Sequence, residues 1–143
     1  MQRPYFSSVK TNYINNRSVF IKSGGCKYDN TCATRLSSAL IKSNPNFKKI
    51  FAGANGNKCN LHGNMRGAQD LAKALRASIG ARDIGWHGTG KVNSQIIGKK
   101  GIICFMNIPG FGGQGHISLW DGQEVVDGGE YWDSNTIYFW KLP

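Results

Sequence analysis

The first helical pattern of the chain starts at a cysteine. Cys32, Leu36 and Ala39 recur at i, i+4 and i+7, which is the spacing of one face of an amphipathic helix. Asn30 precedes them and is predicted as the N-cap, because its side chain can accept a hydrogen bond from the first turn. The pattern therefore predicts a helix that carries a thiol at its N-terminal end. A short helix is also predicted near Ser8–Asn15.

A second helical pattern runs from Ala68 to Ile79. Its apolar residues recur at i, i+3, i+4, i+7 and i+11, and Gly80 is placed to end the helix. The two helices are separated by a break at Ser43–Asn46 and by a stretch at 53–67 whose Gly and Asn content is typical of a long surface loop. Residues 85–100 are also predicted to be mostly loop.

The last third of the chain carries strand patterns. Ile102–Met106 is a continuous apolar run that fits a central strand, and Gly115–Trp120 alternates between two faces. Asp121-Gly122 indicates a two-residue type I′ turn. Gln123–Asp127 is then predicted as the returning strand of a hairpin, and Thr136–Leu142 as a final strand. Helices followed by an antiparallel sheet predict an α+β fold.

Length and charge narrow the class of protein. The 143 residues fit a single domain that spans residues 1–143. A total of 18 Lys and Arg against 8 Asp and Glu gives a net charge of +10, and Lys141 is the only basic side chain after residue 101. This charge favours an acidic partner, which could be nucleic acid, a membrane surface or an anionic cell-wall polymer.

The N-terminal segment and the apolar runs bear on location. The first 8 residues lack the apolar core of a signal peptide, and no run reaches the length of a membrane span. We therefore expect no membrane insertion. If the protein acts outside its cell, another machine is expected to carry it there.

The cysteines do not form a metal motif. They lie at positions 26, 32, 59 and 104, with neither a CxxC pair nor the spacing of a zinc site. No metal or other cofactor is expected. The four residues fit one nucleophile with three other cysteines as well as they fit two disulfides.

Cys32 is the candidate nucleophile. At a helix start, the unpaired backbone N–H groups and the positive end of the dipole favour the thiolate over the thiol. Asp29 opposes that shift, so activation is expected to need a histidine as well. The alternative is a buried structural cysteine, since cysteine is among the most frequently buried residue types.

Three histidines compete for the role of base. His62 and His87 lie in Gly-rich loops, where a solvated histidine is the ordinary interpretation, whereas His116 starts a patterned strand. A cysteine on the first core helix and a histidine on a later strand follow the order in which papain-like enzymes supply nucleophile and base.

Three carboxylates are close enough in sequence to His116 to be its partner. Asp121 is explained by its turn, and Glu124 belongs to the opposite face of the predicted hairpin. Counting back from a two-residue turn pairs His116 with Asp127, and directly opposed residues have Cβ atoms about 4.5–5.5 Å apart. The hairpin therefore predicts Asp127 as the partner that orients the imidazole.

Three motifs resemble those of one family: Asn30–Ser37 around the cysteine, Gly115–Trp120 around the histidine, and the closing Ile137–Trp140. They are similar to the type VI secretion amidase effectors of the fourth family, which are NlpC-like cysteine peptidases. The resemblance extends from about residue 10 to the end of the chain. It implies a papain-like fold, with N-terminal helices packed on a C-terminal antiparallel sheet.

The resemblance also implies an activity and a partner. The activity is cleavage of the γ-D-glutamyl–meso-diaminopimelate bond of peptidoglycan stem peptides, in the periplasm of a neighbouring bacterium after type VI secretion. The partner is a cognate immunity protein that plugs the site. Carried over by position, the nucleophile is Cys32, the base His116 and the third residue Asp127. The backbone N–H of Cys32 is the expected oxyanion donor.

Candidates for substrate binding follow less directly from the sequence than the catalytic residues do. The implied substrate carries carboxylates, so Arg35, or a loop lysine such as Lys58 or Lys91, is a candidate to bind them. Trp132 is predicted to line a cleft wall. Many members of the family have a cysteine pair after the histidine strand. This chain has none, so the loop at 128–133 is not held by a disulfide.

Two other interpretations stay open. The same Cys-His pair could act on another acyl bond, such as a peptide bond of a protein or a glutamine side chain. A non-catalytic basic module that binds nucleic acid or lipid, with Cys32 in its core, would also fit the charge. No helix-turn-helix, zinc-finger or RNA-recognition signature accompanies that charge, so nucleic acid is not the partner we expect.

Overall fold

The computed structural model describes residues 1–15, 22–23, 26–27, 31–54 and 65–143. Most of the predicted loop at 53–67 lies outside this part of the chain. So do five residues named above: Asp29, Asn30, Lys58, Cys59 and His62.

Within the described residues, four α-helices precede the main sheet: α1 (Phe6–Thr11), α2 (Cys32–Ser43), α3 (Asn46–Ala54) and α4 (Ala68–Ile79). The range of α4 is the predicted one, and Gly80 follows it with a φ of 97°. α1 starts two residues before the short helix predicted near Ser8.

α2 begins at the predicted cysteine but with a different cap. Thr31 is the N-cap, since its carbonyl oxygen accepts the first helical hydrogen bond from the N–H of Arg35 at 2.8 Å. The prediction that Asn30 is the N-cap is therefore wrong by one residue. The apolar face predicted for this helix is buried throughout, and Cys32 lies on it.

α3 was not predicted, although two local features favour it. The side chain of Asn44 accepts a hydrogen bond from the backbone N–H of Asn46 at 3.1 Å, and Pro45 stands where the helix starts. Phe47 and Phe51 are buried at i and i+4 with their rings stacked 5.3 Å apart. The predicted break at 43–46 thus ends one helix and starts the next.

The described strands form two antiparallel sheets. A small one pairs β1 (Lys22–Ser23) with β2 (Cys26–Lys27). The main sheet has the order β3-β6-β4-β5 and consists of β3 (Ile84–Trp86), β4 (Gly101–Met106), β5 (His116–Trp120) and β6 (Thr136–Lys141). β4 is central, as predicted, and β3 forms in a stretch that was predicted to be mostly loop.

The predicted returning strand Gln123–Asp127 does not form. The Oδ1 atom of Asp121 accepts hydrogen bonds from the backbone N–H groups of residues 123 and 124, each at 2.8 Å. This wider turn joins Trp120 to Val125 by an isolated bridge. The predicted two-residue turn is therefore wrong, because the carboxylate of Asp121 stabilises a longer one.

Hydrophobic clusters cover both faces of the main sheet. The first packs the four helices on one face and includes Leu36, Leu75 and Ile117, while the second lies on the other face around Phe105 and Phe139. Trp120 and Trp140 are buried in these clusters. None of the described helices is both long enough and apolar enough to cross a bilayer.

Candidate active site

Cys32 is buried against the start of β5. Its side chain belongs to the helix-side cluster, and its Sγ lies 3.9 Å from the carbonyl oxygen of Gly115, the residue before His116. Burial alone fits both a nucleophile and a structural cysteine. The neighbours of the thiol therefore decide between the two.

His116 links Cys32 to Asp127. Its Nε2 lies 3.1 Å from Oδ1 and 2.8 Å from Oδ2 of Asp127, and its side chain also hydrogen-bonds that of Cys32. Because Nε2 faces the carboxylate, Nδ1 is the ring nitrogen left for the sulfur. Burial lowers the pKa of His116, but the hydrogen bonds and charges of Asp127 and Cys32 outweigh it and raise the pKa to about 9. The imidazole is therefore charged at neutral pH.

The carboxylate of Asp127 is buried and fully engaged. Only 3% of its side chain is exposed, and Oδ1 accepts a hydrogen bond from the backbone N–H of Gly129 at 2.9 Å. Burial raises the pKa of this carboxyl, but His116, the N–H of Gly129 and the charge of Arg35 together lower it. Asp127 therefore faces the imidazolium as an anion.

The guanidinium of Arg35 lies beside Asp127, with Nη2 3.7 Å from Oδ2. Its Nε donates to the hydroxyl of Thr31 at 3.1 Å, and its Nη1 donates to the hydroxyl of Tyr13 at 3.3 Å and to the side chain of Asn15 at 2.8 Å. These protein partners engage the guanidinium, so the placement does not fit the predicted contact with a substrate carboxylate. It fits a counter-ion of Asp127.

Tyr13 completes this group. Its hydroxyl lies 3.4 Å from Oδ2 of Asp127 and 3.5 Å from the hydroxyl of Ser118. Burial and the charge of Asp127 raise the pKa of Tyr13 to about 12, so the hydroxyl stays protonated and can donate to the carboxylate. Tyr13 was not predicted as a site residue, because its segment carries no motif. We call Cys32, His116, Asp127, Arg35 and Tyr13 together the site cluster.

Two aromatic rings and a glycine surround the imidazole of His116. Phe105 stacks on it with centroids 6.4 Å apart, and Tyr131 packs at 5.3 Å with the planes inclined by 59°. A Cβ atom on Gly129 would lie 2.4 Å from Nε2, so a side chain here would displace the ring. None of the three was singled out from the sequence. The glycine pair at 128–129 is the signal that could have pointed to this close approach.

Trp132 lies in the hydrophobic cluster beneath this loop. Only 9% of it is exposed, and its ring packs edge-on against Phe105 at 5.1 Å and Trp120 at 5.6 Å. Its Nε1 donates to Glu130 at 3.2 Å. The prediction that Trp132 lines a cleft wall does not match this packing, and Tyr131 is the residue of the loop that contacts His116.

The other candidates do not join the site cluster. His87 follows β3 in an exposed position, and Glu124 and Lys91 are also exposed. Cys104 is buried within β4, and burial raises the pKa of its thiol. Within the described part of the chain, no three His, Cys, Asp or Glu side chains are grouped so that they could hold a metal ion.

Two comparisons of sequence complement this geometry. The family described as "Type VI secretion system (T6SS), amidase effector protein 4" matches residues 28–140. This range contains Cys32, His116 and Asp127. No curated protein matches the sequence.

Solved structures of Tae4 effectors share the fold. The chain is 20% identical to the protein in a Tae4–Tai4 effector–immunity complex from Enterobacter cloacae, with a TM-score of 0.74 over 99% of this chain and 100% of the other. The corresponding complex from Salmonella Typhimurium gives 20% identity and a TM-score of 0.69 over the same shares. Tae4 from E. cloacae alone gives 18% and 0.71 over the whole of both chains. At these identities the likeness establishes the fold, which is papain-like (NlpC-like) as the resemblance implied.

Proposed function

Because the chain belongs to the family of type VI secretion system amidase effector protein 4, we propose that it hydrolyses the γ-D-glutamyl–meso-diaminopimelate bond of peptidoglycan stem peptides by a Cys-His-Asp mechanism. The domain that does so spans residues 1–143. The observation that carries the proposal is the chain of side-chain hydrogen bonds that runs from the thiol of Cys32 through His116 to Asp127.

The first half of the reaction forms an acyl-enzyme. The thiolate of Cys32 attacks the γ-carbonyl carbon of the D-glutamyl residue, and the carbonyl oxygen becomes an oxyanion. The backbone N–H of Cys32, at the start of α2, is the donor we assign to that oxyanion. The imidazolium of His116 then gives the proton on Nδ1 to the diaminopimelate nitrogen as the C–N bond breaks. A thioester and a free amine result.

The second half releases the acid. Water attacks the thioester carbonyl carbon while His116 accepts one of its protons, and the C–S bond breaks to release the Cys32 thiolate. The new γ-carboxyl group then loses its remaining proton to solvent. Formation of the thioester removes the negative charge of Cys32, which is one cause of the raised pKa of His116. Because His116 has already given its proton to the leaving amine, the imidazole is a neutral base when water must be activated.

Asp127 and its partners hold the histidine in place for both steps. The carboxylate binds Nε2, which leaves Nδ1 for the sulfur and stabilises the imidazolium. Arg35 adds to the effect of His116 in keeping Asp127 ionised, and Tyr13 donates to the same carboxylate oxygen. Arg35 and Tyr13 therefore act as positioning residues through Asp127.

The family supplies the setting of this reaction. We propose that type VI secretion delivers the protein into the periplasm of a neighbouring bacterium and that a cognate immunity protein blocks the site in the producing cell. The solved Tae4 relatives bound to Tai4 support such a partner.

Digestion of purified sacculi tests the activity. Mass analysis of the released fragments is expected to find a new amine on diaminopimelate and a new γ-carboxyl on D-glutamate, with no release by the Cys32→Ala protein. Release at another amide bond would replace the proposed specificity. Absence of any release from sacculi and from isolated stem peptides would contradict the proposal.

Thiol labelling separates an enzyme from a basic module with a core cysteine. Near pH 6, where an ordinary thiol is almost entirely protonated, Cys32 is expected to react rapidly with an alkylating probe. Cys104 is the internal control, because it is as buried as Cys32 but has no histidine partner in the site cluster, and burial raises the pKa of its thiol. Equally slow labelling of both, located by mass spectrometry, would favour the module.

A further inference from the structure

A second concave site lies between α4 and the main sheet, apart from the site cluster. It is a cleft of about 200 Å³ whose floor includes Met106, Tyr138 and Trp140. Three cations line it: Lys73, Arg76 and Arg82. No carboxylate is among its lining residues. We call these three side chains and their aromatic floor the basic groove.

The cations of the basic groove are exposed and have no described carboxylate as a partner. Ion pairs among the described residues engage Arg3, Arg35 and His116 instead. The carboxylates nearest in sequence are occupied: Asp83 binds Arg3 and the backbone N–H of Lys141, and Asp70 accepts from Gln114. The groove therefore presents positive charge that the described structure does not neutralise.

Arg82 is held in a defined position within this groove. Its guanidinium lies over the ring of Tyr138, 4.0 Å from the centroid. A Cβ atom on Gly85 would lie 2.5 Å from Nε of Arg82 and 3.2 Å from the Tyr138 ring. The glycine thus allows the stacked arrangement. A guanidinium fixed in this way loses less conformational entropy when its N–H groups bind an anion.

The helix that lines the groove, α4, also contacts the segment that leads to His116. The backbone N–H of Asp70, in the first turn of α4, donates to the side chain of Gln114, two residues before His116. Arg76 lies six residues farther along the helix, which is about 9 Å of helix axis. Arg76 therefore lies about 9 Å along α4 from the residue that contacts the segment preceding His116.

We propose that the basic groove binds carboxylates of peptidoglycan stem peptides other than the one cleaved, and so anchors the enzyme on the sacculus. The nature of this ligand rests on the proposed function. Stem peptides combine carboxylates with short aliphatic side chains. That combination matches guanidinium and ammonium groups placed beside an apolar floor.

A pair of double variants tests the groove against net charge. Lys73→Gln/Arg76→Gln removes two cations of the groove, and Lys48→Gln/Lys49→Gln removes two exposed cations of α3. Glutamine keeps helix propensity in both. Each is made with Cys32→Ala, so that sacculi are bound but not digested. The groove variant is expected to bind sacculi about fivefold or more weakly, because it loses charge-assisted contacts, and the α3 variant about as well as the parent. Equal losses in both would overturn the proposal.

Gly85→Ala tests the geometry without changing charge. The added methyl group displaces Arg82 from Tyr138, and binding to sacculi is expected to weaken. Gly53→Ala is the control, because a Cβ atom there meets nothing within 4 Å. Binding that is unchanged in Gly85→Ala, with Arg82 shown by NMR to have moved, would contradict a defined anion site.

Two further arms identify the ligand and separate this proposal from the proposed function. On sacculi whose carboxylates are chemically amidated, the difference between the two double variants is expected to vanish, and a persistent difference would overturn the assignment. A difference seen only on vesicles of anionic phospholipid would assign the groove to a membrane instead.

Turnover of a soluble stem peptide by the groove variant that retains Cys32 is expected to be unchanged. If neither the parent nor the groove variant, both with Cys32 intact, cleaved the stem peptide, the proposed activity would be refuted but the binding proposal would not.

Discussion

The site cluster and the basic groove hold charge in opposite environments. In the site cluster, the side chains of His116, Asp127 and Arg35 are 9%, 3% and 11% exposed, and the carboxylate lies between the two cations. In the basic groove, Lys73, Arg76 and Arg82 are exposed and face no described carboxylate.

This difference has physical consequences for each region. Paired charges in a low-dielectric interior interact strongly and are weakly screened, so removal of one partner leaves the other uncompensated. Exposed cations act over a range that salt limits to about 8 Å at physiological ionic strength. Turnover is therefore expected to be sensitive to the loss of a single charged group in the site cluster. Binding by the groove is expected to be sensitive to ionic strength.

The largest expected effect is that of Cys32→Ala. Loss of the nucleophile is expected to abolish peptidoglycan cleavage. Removal of one buried sulfur opens a small cavity and should cost about 1 kcal/mol of unfolding free energy. Turnover is measured on sacculi and stability by thermal unfolding. A folded variant with normal turnover would contradict the assigned nucleophile.

Asp127→Asn is expected to lower turnover by about 10²–10⁴-fold, because the imidazolium loses its counter-charge and its fixed orientation. The variant should also be less stable, since Arg35 keeps a largely buried charge.

Glu124→Gln is the matched control for Asp127→Asn. It neutralises an exposed carboxylate three residues earlier in the same segment. Turnover is expected to stay normal in this variant. Comparable kcat values for the two variants would remove Asp127 from the mechanism.

Gly129→Ala tests the close approach of the backbone to the imidazole. The new methyl group would overlap Nε2 of His116, and displacement of the ring is expected to lower kcat by about 10-fold or more. Gly112→Ala is the control, because a Cβ atom there has no neighbour within 4 Å. Equal kcat values for these two variants would show that the ring tolerates the added group.

The pH dependence of stability tests the charge pairing of the site cluster. The pKa of His116 rises from 6.5 to about 9 on folding, so its contribution is complete below about pH 6.5 and is lost as pH rises through about 9. The shift corresponds to on the order of 3 kcal/mol. Unfolding free energies of the wild type should fall across this window, whereas those of His116→Gln should fall less. An NMR titration that places His116 below pH 7 would contradict the pairing.

The smallest effect is expected from salt. Binding of the Cys32→Ala protein to sacculi should weaken as ionic strength rises, since a net charge of +10 meets an anionic polymer. Turnover of a small soluble stem peptide by the wild type should change little over the same range. An equal dependence of sacculus binding and of stem-peptide turnover on ionic strength would contradict the difference between the two regions.

Local periodicity predicted the elements that are long and strongly patterned. The face of α2 that carries Cys32, the full range of α4 and the central strand β4 all follow from the spacing of apolar residues. α3 and β3 were missed because one is short and follows a proline, and the other has three residues. Their formation depends on packing against neighbouring elements.

The partner of His116 was predicted from a hairpin that does not exist. Trp120 instead forms an isolated bridge with Val125, and the chain turns again directly afterwards, since the N–H of Gly128 donates to the carbonyl oxygen of Val125 at 2.9 Å. Asp127 therefore reaches His116 from a turn and not from a paired strand, so the predicted contact forms although the predicted register does not.

By itself the sequence determined the fold class and the position of Cys32 at a helix start, because both depend on residues close together in the chain. The tertiary structure alone decided that Arg35 and Tyr13 bind Asp127 and that Arg82 stacks on Tyr138. These partners lie 56 to 114 positions apart. No local pattern relates such residues, since their distance is set by how helices and strands pack.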